Sequence, residues 1–170
     1  MSTIIGIEDA KPATSVLQLL TPGLIIPVTN GTRLLSEARD VFSGYIGPEL
    51  ASCGCEVSGD PKPETLVNVY GMGNYVTFCE MIEGEGVVLD HLYLTQEQII
   101  QFVINYRAHL HPQGFTTFFL SKMAGSFFFV VRAHWLDASR LGVSATGRSI
   151  DDVWGAGGRR QMVLPQILKP

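Results

Sequence analysis

The sequence predicts an α+β fold, in which an antiparallel β-sheet meander packs against one or two α-helices. Two observations lead to this prediction. Residues 95–110 carry apolar side chains at helical spacing, and the chain after Phe115 is a series of alternating apolar segments separated by turn residues. We divide the chain into an extended apolar N-terminal arm, residues 1–31, and a single α+β domain, residues 32–170.

The N-terminal arm is apolar but interrupted by three prolines and by Asn30-Gly31. Proline lacks a backbone donor, which confines any strands here to a sheet edge. Burial of three aliphatic residues would contribute about 5 kcal/mol before ordering costs, so we expect the arm to dock on its own domain or on a second subunit. The docking residues are Leu24, Ile25 and Ile26.

Two helices are predicted. Thr32 resembles an N-cap, and the apolar residues that follow as far as Phe42 are at helical spacing. The second helix, 95–110, begins with a capping box, because Thr95 is followed three residues later by Gln98.

Alternation and turn residues predict the strands. The predicted strands are 66–70, 115–122, 126–136, 141–146 and 161–164. Residues 75–82 fit a second strand or a short helix, and residues 150–154 fit a short helical turn.

The strand that begins at Phe127 is apolar on both faces in its first half. Alternation places Phe127, Phe129, Val131, Ala133 and Trp135 on one face, and Phe128, Val130, Arg132 and His134 on the other. A central strand covered by a helix would show this pattern. So would a strand whose second face meets another subunit or lines a pocket. The core explanation requires no special function.

The composition restricts partners and location. The net charge of −4 argues against a general phosphate-binding surface, so we expect no nucleic-acid partner. The apolar stretch 15–28 is too short and too broken to span a membrane. With three cysteines and no secretory signal, we expect a cytoplasmic protein with reduced thiols. Charged residues make up only 16%, which favours self-association or binding to another protein.

No standard metal or catalytic motif is present. The spacing of Cys53, Cys55, His109 and His111 fits no usual zinc site, so we expect no metal and no cofactor. Cys79 lies in an apolar alternation that favours burial over nucleophilic chemistry. The acidic residues Glu80, Glu83, Glu85 and Asp90 have two glycines among them. This composition indicates a solvated turn and not a pair of catalytic carboxylates.

Two glycine-rich loops are candidate ligand sites. Gly71-Met-Gly73 lacks the third glycine of a dinucleotide fingerprint. Residues 155–158 precede Arg159 and Arg160, whose guanidinium groups are suited to holding an anion. A flexible turn is the simpler explanation for both loops.

The second half of the chain resembles a group of small uncharacterised bacterial proteins, found mainly in candidate-phylum genomes. The segments that carry the resemblance are LTQEQIIQF, GFTTFFL, FFFVV and VWGAGGRRQMVLPQ. The similarity extends from about Gly31 to Gln166. That group has no assigned activity, cofactor or catalytic residue, so the resemblance implies a shared fold and nothing more.

These observations lead to two functional hypotheses. In the first, the chain is a non-enzymatic binding or assembly protein that acts through its sheet surface and N-terminal arm. In the second, it is a small-molecule enzyme or ligand-binding protein whose pocket is lined by the Phe-rich hairpin. The absence of a compact catalytic motif favours the first. The candidate ligand or interface residues are Phe128, Val130, Arg132, His134, Arg159 and Arg160.

Overall fold

A computed structural model shows a mixed α and β protein. The structure describes residues 17–52, 57–72, 76–77, 80, 88–111, 115–122, 128–148, 153–154 and 160–166. The helices among these residues are all too short to cross a bilayer.

Seven strands form the main sheet, in the order β1-β3-β9-β5-β6-β7-β2. They are β1 (Leu17–Ile26), β2 (Tyr45–Ile46), β3 (Thr65–Met72), β5 (Thr116–Lys122), β6 (Phe128–Trp135), β7 (Leu141–Arg148) and β9 (Arg160–Pro165). Two short strands, β4 (Val76–Thr77) and β8 (Val153–Trp154), pair with each other.

The purely antiparallel meander predicted from the sequence is wrong. Strands β5, β6 and β7 do form an antiparallel meander. However, β9 inserts between β3 and β5 and runs parallel to β5, and β2 runs parallel to β7. The sheet is therefore mixed, because β9 is antiparallel to its neighbour β3 but parallel to its other neighbour β5.

The main helix is α2 (Gln96–Asn105), which is preceded by a single turn, α1 (Glu49–Ser52). The predicted capping box is confirmed. The Gln98 amide donates to the Thr95 hydroxyl at 3.3 Å, and the Thr95 amide donates to the Gln98 side chain at 2.9 Å. Helix α2 ends earlier than predicted, and a 3₁₀ turn, Arg107–His109, follows it.

Two further elements differ from the predictions. The helix expected after Thr32 is only a 3₁₀ turn, Leu35–Glu37. Its backbone bonds elsewhere, since the Leu35 amide donates to the Gln96 side chain at 3.0 Å. Val153 and Trp154, expected in a helical turn, are extended because they pair with β4.

Both faces of the sheet carry buried apolar residues. The first face packs against α2, where the rings of Phe102 and Phe119 are 5.5 Å apart, and it includes Phe129, Val131 and Ala133. The second face holds a separate cluster that includes Phe118, Leu120, Phe128, Val130, Met162 and Leu164. From Phe128 onward the two faces of β6 are thus as predicted, and the core explanation accounts for the buried residues of its first half; Phe127 lies outside the described residues.

Candidate functional site

The second sheet face brings together three of the predicted site residues. Arg132 and His134 lie on β6, and Arg160 begins β9 two strands away. All three are partly buried. Arg159 lies outside the described residues.

Phe128 and Val130 lie further along the same face but are not surface residues. Their exposed fractions are 3% and 1%. They belong to the apolar cluster of this face, so packing within the chain accounts for their burial. Of the residues proposed on this strand, Arg132 and His134 are the ones that keep a larger part of their surface accessible.

The strand register fixes how the charged residues are arranged. At the end of the sheet, Arg160 pairs with Thr116, and Thr116 pairs with His134. In the next row of the same face, Phe118 stands opposite Arg132. Neighbouring strands are about 4.8 Å apart, so Arg132 and Arg160 lie on either side of Phe118 within reach of one small molecule.

Arg132 is the most unusual residue of this group. Its Nε is buried, and no described residue accepts a hydrogen bond from it. A buried donor without an acceptor costs about 1–3 kcal/mol, so such a group calls for an explanation. Arg160 interacts with an aromatic face instead, since its guanidinium carbon lies 5.8 Å from the centre of the Phe118 ring.

Acidic partners of these arginines are absent among the described residues. The ion pairs found there join Arg33 to Asp40, Lys122 to Asp90 and Arg140 to Asp137. All three lie away from the two adjacent rows that contain Arg160 and Arg132. The described end of the second face is therefore cationic, although the whole chain is acidic.

His134 responds to this environment. Burial lowers the pKa of His134, and the neighbouring Arg132 cation lowers the same pKa further.

The strand that carries His134 is followed by the β6–β7 turn, where the Asp137 carboxylate accepts hydrogen bonds from the amides of Ser139 and Arg140 at 2.9 Å each. These bonds depress the pKa of Asp137 far below its usual range. The turn keeps His134 opposite Gly142.

Two residues that the sequence analysis did not propose complete the row. Gly142 stands opposite His134, and Tyr45 of β2 stands opposite Gly142. A Cβ added at Gly142 would lie 3.1 Å from the His134 ring and 3.2 Å from the Tyr45 Cβ. The only sequence signal for this close approach was a glycine inside the predicted strand 141–146.

The expected docking residues of the arm lie in β1, which is the edge strand of the chain's own sheet. Ile26 is fully buried, and Leu24 packs against the same core. Ile25 is 42% exposed and pairs with Leu66 of β3. Residues 1–16 of the arm lie outside the described part of the chain.

A groove of about 590 Å³ opens beside the first turn of α2 and was not predicted. Its charged lining residues are Asp60, Lys62, Asp90 and Lys122. Lys122 and Asp90 form an exposed ion pair at 3.2 Å. Burial, followed in importance by the Asp90 charge, raises the pKa of the lining residue Tyr93. Because two lysines face two aspartates, the groove favours no charge class of ligand.

The residues considered for metal binding are not assembled in the described structure. Within the described ranges, His, Cys, Asp and Glu form no group of three or more that is suited to a metal ion. The His111 ring stacks on the Phe115 ring with their centres 3.9 Å apart, and the centres of the His109 and Tyr106 rings are 6.0 Å apart. Cys53, Cys55 and Cys79 lie outside those ranges, as do Glu83, Glu85 and residues 155–158, so the expectation of no metal stays a prediction.

No protein family, no curated protein and no solved structure matches the chain. The resemblance to small bacterial proteins therefore stays a prediction as well, and the functional argument rests on the geometry of the site.

Proposed function

We propose that the chain binds a small anionic molecule at the cationic end of its second sheet face, through Arg132, Arg160 and His134. The observation that supports this most is the buried Nε of Arg132, which lacks an acceptor among the described residues. An anion supplies that acceptor. Guanidinium groups bind phosphate and carboxylate through paired N–H donors, so these are the ligand groups that the site favours.

This proposal favours the ligand-binding hypothesis over assembly through the sheet surface. The apolar residues of that surface, Phe128 and Val130, are already buried within the chain. The role of His134 is to add positive charge when protonated, and the proposal assigns binding and no reaction. A cytoplasmic metabolite fits the location predicted from the cysteine content.

The test is a titration with sulfate, inorganic phosphate and acetate, followed by NMR and by calorimetry. We expect at least one of these anions to bind the wild-type chain. Loss of a charged hydrogen-bond donor in Arg132→Gln should weaken binding about tenfold or more. The matched control is Arg39→Gln, because Arg39 is exposed and lies outside the sheet. No binding of any probe at tens of millimolar, or equal affinities for the wild type and Arg132→Gln, would overturn the proposal.

Self-association is a second candidate function, and one observation favours it. Strand β1 carries no charged side chain, and its residues Leu19 and Leu20 are each 50% exposed. Edge strands that avoid pairing usually carry charges. If β1 pairs with a second copy, Leu20→Lys should lower the mass measured by light scattering, whereas Val28→Lys, outside β1, should not. A monomeric wild-type chain at tens of micromolar would refute this candidate.

A further inference from the structure

The terminal row of the second face continues past the cationic residues to an aromatic side chain. Its members stand opposite one another on consecutive strands. They are Arg160, Thr116, His134, Gly142 and Tyr45. With strands about 4.8 Å apart, Tyr45 lies roughly 10 Å from His134 at the level of the backbone.

The glycine in this row allows two rings to approach each other. The His134 Cε1 and Nε2 atoms each lie 3.1 Å from the position that a Cβ of residue 142 would occupy, and the Tyr45 Cβ lies 3.2 Å from it. Any larger residue at position 142 would displace one of them. The His134 ring therefore leans over β7 towards Tyr45.

Packing against the core does not explain why a tyrosine occupies position 45. It lies in the two-residue strand β2 and is 44% exposed, whereas its neighbour Ile46 packs against the core. No described residue forms a hydrogen bond with the Tyr45 hydroxyl or a ring contact with its side chain. An exposed aromatic side chain beside a histidine ring provides a surface suited to stacking.

We infer that the ligand is an anion carried on a planar aromatic ring, whose ring stacks on His134 and Tyr45 while its phosphate or carboxylate is held by Arg132 and Arg160. This inference rests on the proposed function and adds the class of ligand. At the level of the backbone, Arg132 shares a strand with His134 and lies two strand spacings, about 10 Å, from Tyr45. Arg160 lies two spacings from His134 and four, about 19 Å, from Tyr45, so the anion lies between the two arginines and the ring lies on the His134 side of them. This arrangement suits a small molecule with the anion linked closely to the ring. Ligand sites commonly combine such an apolar wall with a few orienting polar groups.

The test compares phenyl phosphate with methyl phosphate, which share the anion and differ in the ring. Calorimetric titration of the wild-type chain should show phenyl phosphate binding about tenfold more tightly, since stacking adds to the interaction with the anion. Tyr45→Ala should remove most of this difference and leave methyl phosphate unchanged. Tyr45→Phe should retain it, because the ring and not the hydroxyl makes the contact.

A second variant tests the geometry without removing a ring. Gly142→Ala should weaken phenyl phosphate binding several-fold, because the added methyl group displaces the His134 ring or Tyr45. Circular dichroism confirms that each variant is folded before titration.

The outcomes separate the inference from the proposed function. If both phosphates bind equally and both depend on Arg132, the anion site stands and the aromatic inference is overturned. An unchanged preference for phenyl phosphate in Tyr45→Ala also overturns the inference. If neither phosphate binds, or if Arg132→Gln changes neither affinity, both proposals fail.

Discussion

The Tyr106 hydroxyl bonds twice to the backbone of Ile25. It accepts from the Ile25 amide at 2.9 Å and donates to the Ile25 carbonyl at 2.8 Å. Because β1 is the edge strand, these groups point away from β3. The hydroxyl thus takes the place of a neighbouring strand at this end of the sheet, and unpaired edge groups are otherwise sites of association.

We expect Tyr106→Phe to lower the free energy of unfolding by about 1 kcal/mol, because two partly exposed hydrogen bonds are lost while the ring still packs against Phe102. The variant should also self-associate more readily than the wild type. Urea denaturation and light scattering measure the two effects. Tyr45→Phe is the matched control, since no described residue bonds to that hydroxyl. Equal results for both variants would show that the Tyr106 hydroxyl does not protect the edge.

Phe129 tests the packing of the first sheet face. Its exposed fraction is 2%, and it belongs to the cluster that α2 covers. Phe129→Ala should lower the free energy of unfolding by about 3–5 kcal/mol, since it removes a buried ring and leaves a cavity. Val28→Ala, at a residue that is 72% exposed, should have little effect. A Phe129→Ala midpoint in urea close to that of the wild type would contradict this packing.

Replacement of Arg132 should change the free energy of unfolding in the opposite direction to Phe129→Ala. If the buried Nε of Arg132 serves to bind a ligand, this unpaired donor destabilises the chain when no ligand is bound. Arg132→Met should then raise the free energy of unfolding by about 1 kcal/mol, because an unpaired donor is replaced by an apolar group. Arg140→Met should lower stability, since Arg140 bonds to Asp137 at the β6–β7 turn. Thermal melts without added anions measure both. Destabilisation by Arg132→Met would assign Arg132 a structural role.

Two histidines predict how stability depends on pH. Burial lowers the pKa of His111, and burial together with Arg132 lowers the pKa of His134. Below the ordinary value of 6.5, the unfolded chain therefore binds protons that the folded chain does not, so stability falls as the pH decreases from 6.5 towards the lowered values. Urea denaturation between pH 7.5 and 5 should show this loss.

The variants His111→Gln and His134→Gln should each reduce that pH dependence. The range stops at pH 5 because the pKa values of Glu80 and Asp137 are also lowered and these carboxylates remain ionised above it. A pH dependence that is identical in the wild type and in both variants would refute the assignment.

Local signals predicted those elements whose contacts are also local. The cap of α2 depends on Thr95 and Gln98, three residues apart, and the two faces of β6 follow from alternation. The helix expected after Thr32 was wrong because distant groups compete for its backbone, as the bond from Leu35 to Gln96 shows. The position of β9 likewise depends on pairing across the whole chain, which no local pattern specifies.

The candidate site was predictable to the same extent. Alternation places Arg132 and His134 on one face, but their proximity to Arg160 follows only from the insertion of β9 beside β5. Tyr45 could not be predicted, because a strand of two residues has no alternation and joins the site only through its pairing with β7.

The insertion of β9 has a consequence for the order of folding. In the described sheet, strands β1 and β3 are connected to the other strands through β9. Leu164 of β9 pairs with Asn68 of β3, and Gln161 of β9 pairs with Thr117 of β5. During synthesis, the meander of β5, β6 and β7 is complete before β9 leaves the ribosome, while the hydrogen-bonding edges of β3 and β5 await the same late strand. Contacts of such high contact order place folding in the range of about milliseconds to seconds. Until β9 docks beside β5, Arg160 is not positioned next to Thr116 and Phe118, so the proposed anion site is assembled only after β9 has joined the sheet.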